Sequence, residues 1–278
     1  MEYNQPDVIK KLLLIVILIG LPSIRCTHNL KHNQSSSNRF AFIYINNWKI
    51  DNSAKIATLI KNERNIQSTA ILLSNNIFSD TLIKDTSQRN AVIEILNASD
   101  INATLLTPDF LIFGIDQAKQ LISECNFSCL AANVKDKLTS QTLGQEYLIL
   151  NLGKARVAVI GISSDSQQFY SRDTNIDFEN PAFTVQKILP QIKNRSDFQF
   201  VLTHSFDTLN LPLDFIFSAP MHDKFQMLPL TETGIYKLEF GYDKSNNILE
   251  LKRTTAAVDT LPDDSVINNI INQKILHN

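Results

Sequence analysis

The sequence predicts a layered α/β domain built on mixed β-sheet. Three observations carry that expectation. Short apolar runs rich in β-branched and aromatic residues recur from Arg39 onward. Segments with apolar residues at helical spacing separate them. Two longer stretches, "YLILNLGKARVAVIGIS" and "GIYKLEFGYDKSNNILELKRTT", instead read as strand–turn–strand, the first turning at Gly153-Lys154. Buried strands interleaved with helices, plus hairpins, give a mixed sheet covered by helices.

The elements follow in order. "FAFIYI", residues 40–45, is a strand that stops at Asn46, Asn47, Trp48 and Lys49. "SAKIATLIKNERN" places Ile56, Leu59 and Ile60 on one helical face, with Ser53 available as a cap. "TAILLS" is the second strand. "RNAVIEILNAS" is helical and "ATLLT" strand-like. "GIDQAKQLISEC" is helical and "SCLAANV" reads as one strand. "NPAFTVQKILPQIKN" is a helix with Pro181 near its start, a position where the missing N–H costs nothing. "FQFVLTHS" and "DFIFSAP" are strands. "PDDSVINNIINQKIL" is a short helix, with Asp263 and Asp264 as N-terminal charges.

Composition bounds the function classes. The chain has 278 residues, a net charge of -2, 44% hydrophobic and 19% charged residues. That is ordinary globular usage. No basic block exists, so nucleic acid is not expected as a partner. Lys10 and Lys11 precede the apolar run 12–21, and Pro22 and Ser23 end it. This pattern predicts a signal peptide or signal anchor over 1–26, and hence an extracytoplasmic protein: periplasmic, secreted or cell-surface. Membrane attachment is expected only through residues 10–22. Cys26 raises lipidation, although Arg25 stands where a lipidation motif wants a small residue. Residues 27–38 read as a polar linker, 39–258 as the domain, and 259–278 as a C-terminal helix.

Cys125 and Cys129 lie four residues apart in "ECNFSCLAANV". They fit either a local disulfide or one buried strand cysteine beside a free neighbour. Without a second Cys/His pair they are not a zinc site.

In layered α/β folds ligands gather at the carboxyl ends of strands. Five ends are of interest: Asn46–Lys49, Asn75–Phe78, Thr107–Phe110 with Gly114, Thr203–Ser205, and Ala219–His222. Their order and spacing resemble the catalytic domain of the 5'-nucleotidase branch of the calcineurin-like metallophosphoesterases. That family's signature runs D-x-H, G-D, G-N-H-E-F-D-x-G, an isolated His, then G-H-x-H. The resemblance covers about residues 40 to 270. It extends to "AKIATLIKNERN", "FGIDQAKQLISECNFSCLAANVKD", "GKARVAVIGIS" and "LPDDSVINNII". It implies a sandwich of two mixed β-sheets flanked by helices, and a two-metal cluster that activates water and clamps a phosphate. It also implies that the C-terminal helix is the remnant of a linker to an absent second domain.

The same resemblance implies that the metal site is degenerate. Asn47 and Lys49 stand where the Asp and His of D-x-H belong. Asn76 replaces the bridging Asp, with Asn75 in place of its Gly. Pro108 replaces the Asn ligand and Asp109 the catalytic His. Pro220 replaces the first His of the last motif. His204 and His222 alone survive as metal ligands. Asn for Asp removes a negative charge, and proline supplies no side-chain ligand. An ammonium at Lys49 would repel a cation ~4 to 5 Å away by several kcal/mol at an effective dielectric of ~20.

The expectation is therefore a protein without a cofactor and with no assigned catalytic residue. It would be an inactive binding or structural relative of the hydrolases, whose partner is an unknown protein or a small anionic ligand. Two alternatives stand beside it. One is a hydrolase with a single divalent ion held by His204, His222 and Asp109, with Asn76 as a fourth donor. The other is a metal-free anion pocket at Lys49.

Overall fold

The residues Phe40 to Ile45 are all fully buried, because β1 (Asn38–Ile45) lies inside its sheet and is covered on both faces. The computed structural model describes residues 38–46, 48–74, 77–78, 85–112, 114–163, 175–203, 215–218, 227–229 and 234–276. After β1 come α1 (Ile50–Ile66), β2 (Thr69–Leu73), α2 (Thr86–Ala98), β3 (Ala103–Leu105) and the single turn α3 (Pro108–Leu111). Then follow α4 (Ile115–Glu124), β4 (Ser128–Leu130), β5 (Val134–Asp136), β6 (Tyr147–Leu152), β7 (Ala155–Ile162), β8 (Ile176–Phe178) and α5 (Pro181–Lys193). The chain continues through β9 (Phe198–Thr203), β10 (Phe215–Ser218), β11 (Met227–Pro229), β12 (Ile235–Tyr242), β13 (Ile248–Thr255) and α6 (Ser265–Ile271).

Among the described residues the strands form a six-stranded sheet ordered β13-β12-β1-β2-β3-β4 and a five-stranded sheet ordered β11-β10-β9-β7-β6, with β5 and β8 pairing separately. Both large sheets are mixed. β1 runs parallel to β2 but antiparallel to β12, and β7 runs parallel to β9 but antiparallel to β6. The period of two along a strand divides the core. Phe40, Phe42 and Tyr44 meet Val157, Val159, Phe198, Phe200 and Leu202 between the sheets. Ile43 and Ile45 point the other way, into a layer formed with α1, α2, α4 and α6. On the far side, Ile160 and Val201 pack under Val185, Ile188 and Ile192 of α5. The architecture is helix–sheet–sheet–helix. This explains why the strands read as continuous apolar runs rather than alternating ones.

Several local expectations are met. The β6–β7 hairpin turns at Gly153, where φ of +64° suits a residue without Cβ. Asn180 caps α5 by accepting from Phe183 N, with Pro181 in the first turn. Asp264 caps α6, accepting from Val266 and Ile267 N at 3.1 and 3.3 Å, and also pairs with Lys61. Ile267, Ile270 and Ile271 of α6 join the helical layer, so this C-terminal segment is part of the packed body.

Two expectations need correction. Ser53 is not a cap: α1 starts a turn earlier, where Asn52 Oδ1 accepts from Lys49 N at 3.1 Å. Ser53 is buried inside the helix and its hydroxyl donates to Ile50 O at 2.7 Å. "SCLAANV" is not one strand. It breaks into β4 and β5 at Ala131–Asn133, because the Asn133 side chain is committed elsewhere. No helix among the described residues is long and apolar enough to cross a membrane; the expected signal or anchor at 1–26 lies outside them.

Candidate functional site

The carboxyl ends of β1, β2, β3, β7 and β9 carry polar residues, and most of them are buried. Ser74, Thr107, Asn133, Ser163 and Thr203 are fully buried, and Asp109 is 6% exposed. Buried polar groups must find partners, and these find them within the protein.

At the end of β1, Asn46 turns toward the start of β12. Its N–H donates to Gly234 O at 3.1 Å and its Oδ1 accepts from Gly234 N at 2.6 Å. Trp48 is 4% exposed and belongs to the helical-side core. Lys49 is exposed at the head of α1. Below this end, the Tyr44 and Ser74 hydroxyls share a 2.5 Å hydrogen bond. Burial pushes the Tyr44 phenol up, so it stays neutral.

After β3 the chain turns into α3. The Asp109 carboxylate accepts from Phe78 N at 2.6 Å through one oxygen and from the Thr107 hydroxyl through the other. Burial nevertheless prevails over these two donors and pushes its pKa up to about 6. Beside it the Phe78 and Phe110 rings meet edge to face, 4.9 Å between centroids at 67°. Asp109 thus tethers the segment after β2 to the end of β3, with an aromatic pair packed alongside.

A second network joins the two sheets. The Asn133 side-chain amide donates to Ser163 O at 2.7 Å and accepts from Ser163 N at 2.8 Å. The Ser163 hydroxyl donates to Leu106 O at 2.7 Å. The ends of β3, β4 and β7 are thereby locked together. Gly161 makes this closeness possible: a Cβ there would stand 2.3 Å from Leu130 Cβ and 2.7 Å from Leu130 C. In the sequence, the one signal for Asn133 is an amide inside the otherwise apolar "CLAANV". Asn133→Ala would leave both Ser163 backbone groups unsatisfied in a dry site, and we expect a loss of about 2 kcal/mol in urea unfolding. A loss below about 0.5 kcal/mol would show that the lock is dispensable.

Of the positions singled out in the sequence, the side chains of Lys49, Asp109, Cys125 and Cys129 fall among the described residues. Pro108 opens α3. Asn47, Asn75, Asn76, His204, Pro220 and His222 lie outside the described residues. Cys125 and Cys129 are both free thiols here, Cys129 buried and Cys125 half-buried.

This arrangement of sheets and strand ends can be compared with known proteins. A 5'-nucleotidase precursor of Thermus thermophilus superposes with a TM-score of 0.69 at 13% identity, over 86% of this chain and 59% of that one. The NAD nucleotidase of Haemophilus influenzae gives 0.67 at 14% identity, over 86% of this chain and 60% of that one. The calcineurin-like phosphoesterase YfkN of Bacillus subtilis gives 0.64 at 14% identity, over 86% of this chain and 97% of that one. The fold is that of the calcineurin-like metallophosphoesterases. No family model and no curated protein matches the sequence. The chain spans about three fifths of the length of the two nucleotidases.

The fold family implies divalent metal, which needs a converging set of donor side chains. A ligand carboxylate needs free lone pairs and a low pKa. The Asp109 carboxylate is turned inward, one oxygen onto Phe78 N and the other onto the Thr107 hydroxyl, and burial raises its pKa. Lys49 brings a cation. Among the described residues no group of three or more His, Cys, Asp or Glu side chains converges. Asp109 and Lys49, as placed here, do not offer a ligand set for a metal ion.

Proposed function

We propose that this chain is an exported binding protein with a metallophosphoesterase fold that does not hydrolyse phosphate esters. The observation that carries this reading is Asp109. It stands where the resembled family has its catalytic histidine, yet its carboxylate is turned inward onto Phe78 N and Thr107. The replacements Asn47, Lys49, Asn76, Pro108 and Pro220 support the same reading, because they remove anionic or imidazole donors in concert. Its partner is a protein or a small anionic ligand. The exposed Lys49 at the head of α1 favours an anion there, held without metal.

The test is metal content measured beside a phosphatase panel on the purified full chain. After equilibration with Mn2+ and desalting we expect well under one equivalent of bound metal. Nucleoside monophosphates and p-nitrophenyl phosphate should turn over no faster than in buffer. Mn2+-dependent turnover that disappears in His204→Ala would overturn the proposal and favour the single-ion hydrolase. A thermal shift with inorganic phosphate that is lost in Lys49→Ala would identify the anion site, and no shift would leave a protein partner.

A further inference from the structure

We propose that the outer edge of β6 pairs with the β6 edge of a second copy of this chain, antiparallel about Ile149, to make a two-fold dimer. The inference stands apart from the proposed function.

An edge strand carries N–H and C=O groups without a neighbouring strand, and proteins guard such edges with charge, proline or brevity. Among the described residues the two large sheets end in β13, β4, β11 and β6. Three of these edges are guarded. β13 carries Glu250, Lys252 and Arg253. β11 is three residues long and ends in Pro229, and β4 is equally short. β6 is not guarded: its six residues, "YLILNL", include no charge and no proline. Tyr147, Leu148, Ile149 and Leu150 are all half-buried. Leu148 and Leu150 border the intersheet core, and Tyr147 and Ile149 border the layer under α5.

The backbone shows which groups face outward. Gly161 N donates to Glu146 O at 3.4 Å, and the next pair in the ladder is Tyr147 with Ile160. Bonded and non-bonded pairs alternate along an antiparallel ladder. Leu148, Leu150 and Leu152 therefore bond to β7, while Tyr147, Ile149 and Asn151 turn their N–H and C=O away from it. The bridge between Leu130 and Gln145 ends before β6 begins. Among the described residues no backbone hydrogen bond reaches these outward groups.

The strand is complementary to itself. With a two-fold axis at Ile149, Ile149 opposes Ile149 of the second copy, Leu148 opposes Leu150, and Tyr147 opposes Asn151. The ends carry opposite charges: Glu146 precedes the strand, and Lys154 follows it in the exposed turn to β7. Antiparallel pairing sets Glu146 of each copy diagonally across from Lys154 of the other, within reach of long side chains. Parallel pairing would instead set like charges side by side. The contact uses the same edge on both copies, so it closes at two chains and does not propagate.

Sedimentation of the full chain should show a monomer–dimer equilibrium. Ile149→Lys puts two ammonium groups on the axis and should leave monomer alone. Lys154→Glu, at an exposed turn residue, should raise the dimer dissociation constant about ten-fold. Adding Glu146→Lys should restore the wild-type value, because both copies then carry both exchanges. The register has its own readout. Leu148→Cys and Leu150→Cys proteins, mixed and oxidised with diamide, should cross-link through the two new cysteines, since facing residues of a non-bonded pair lie about 4.5 Å apart at Cα. Neither protein alone should cross-link at its new cysteine. Monomer at every concentration, or a dimer that keeps its dissociation constant in both Ile149→Lys and Lys154→Glu, would overturn the proposal. If Ile149→Lys fails to fold, the charge exchange and the cysteine mixture still decide it.

Discussion

Replacing Phe40 with alanine is expected to lower the unfolding free energy by about 3–5 kcal/mol, the range for a large aromatic removed from a close-packed core. Phe40 is fully buried at the centre of the intersheet layer. It stacks on Phe240 at 5.1 Å and 15°, and lies 5.3 Å from Phe198, 5.7 Å from Tyr242 and 5.9 Å from Phe42. Those partners come from β1, β9 and β12, in both sheets, so no single element can move to refill the space. Each lost aromatic pair adds to the transfer and cavity terms. Single domains have only about 5–15 kcal/mol to lose, so Phe40→Leu should be made in parallel. It keeps most of the volume and should cost less than half as much. Urea unfolding followed by Trp48 fluorescence measures both. A Phe40→Ala loss under about 1 kcal/mol would mean that the sheets are not packed through this ring.

The rows of aromatic and β-branched residues made this sandwich legible in the sequence. "FAFIYI" had to be a strand covered on both faces, and Phe40 and Ile43 occupy opposite layers as the period of two requires. The turn at Gly153, the helix start at Pro181 and the acidic start of α6 were legible for the same reason, since each acts on its immediate neighbours. What escaped was long-range. Ser53 looks like a cap, and only the bond between Lys49 N and Asn52 Oδ1 reveals the earlier start. Asn133 breaks a strand because its partner Ser163 lies 30 residues away. The candidate site shows the same limit. An acid at a strand end was visible at Asp109, but not that Phe78 N, 31 residues distant, would claim it.

That claim on Asp109 has a measurable pH signature. Its carboxyl group rises from the ordinary 3.8 to about 6 in the folded protein because burial disfavours the anion. The folded state then binds the proton more tightly than the unfolded state. The fold is most stable where Asp109 is protonated in both states, below about 3.8. It loses stability as pH rises from about 3.8 to about 6, and is level above. The gap corresponds to about 3 kcal/mol. Other carboxylates oppose this trend. Asp197 beside Arg156 and Asp136 beside Lys119 are held below the usual range, and they lose stability as pH falls. The Asp109 contribution must therefore be read as a difference. Asp109→Asn keeps an acceptor for Phe78 N and carries no charge at any pH. Relative to wild type, it should gain about 3 kcal/mol between pH 3.5 and 7.5 in urea unfolding. Thr107→Val, which removes one donor to the anion, should move the midpoint of the wild-type change above pH 6. A pH-independent difference between wild type and Asp109→Asn would mean that the carboxylate reaches water. Asp109 would then be free to serve a ligand, and the site would not be the inward-turned, non-hydrolytic one proposed.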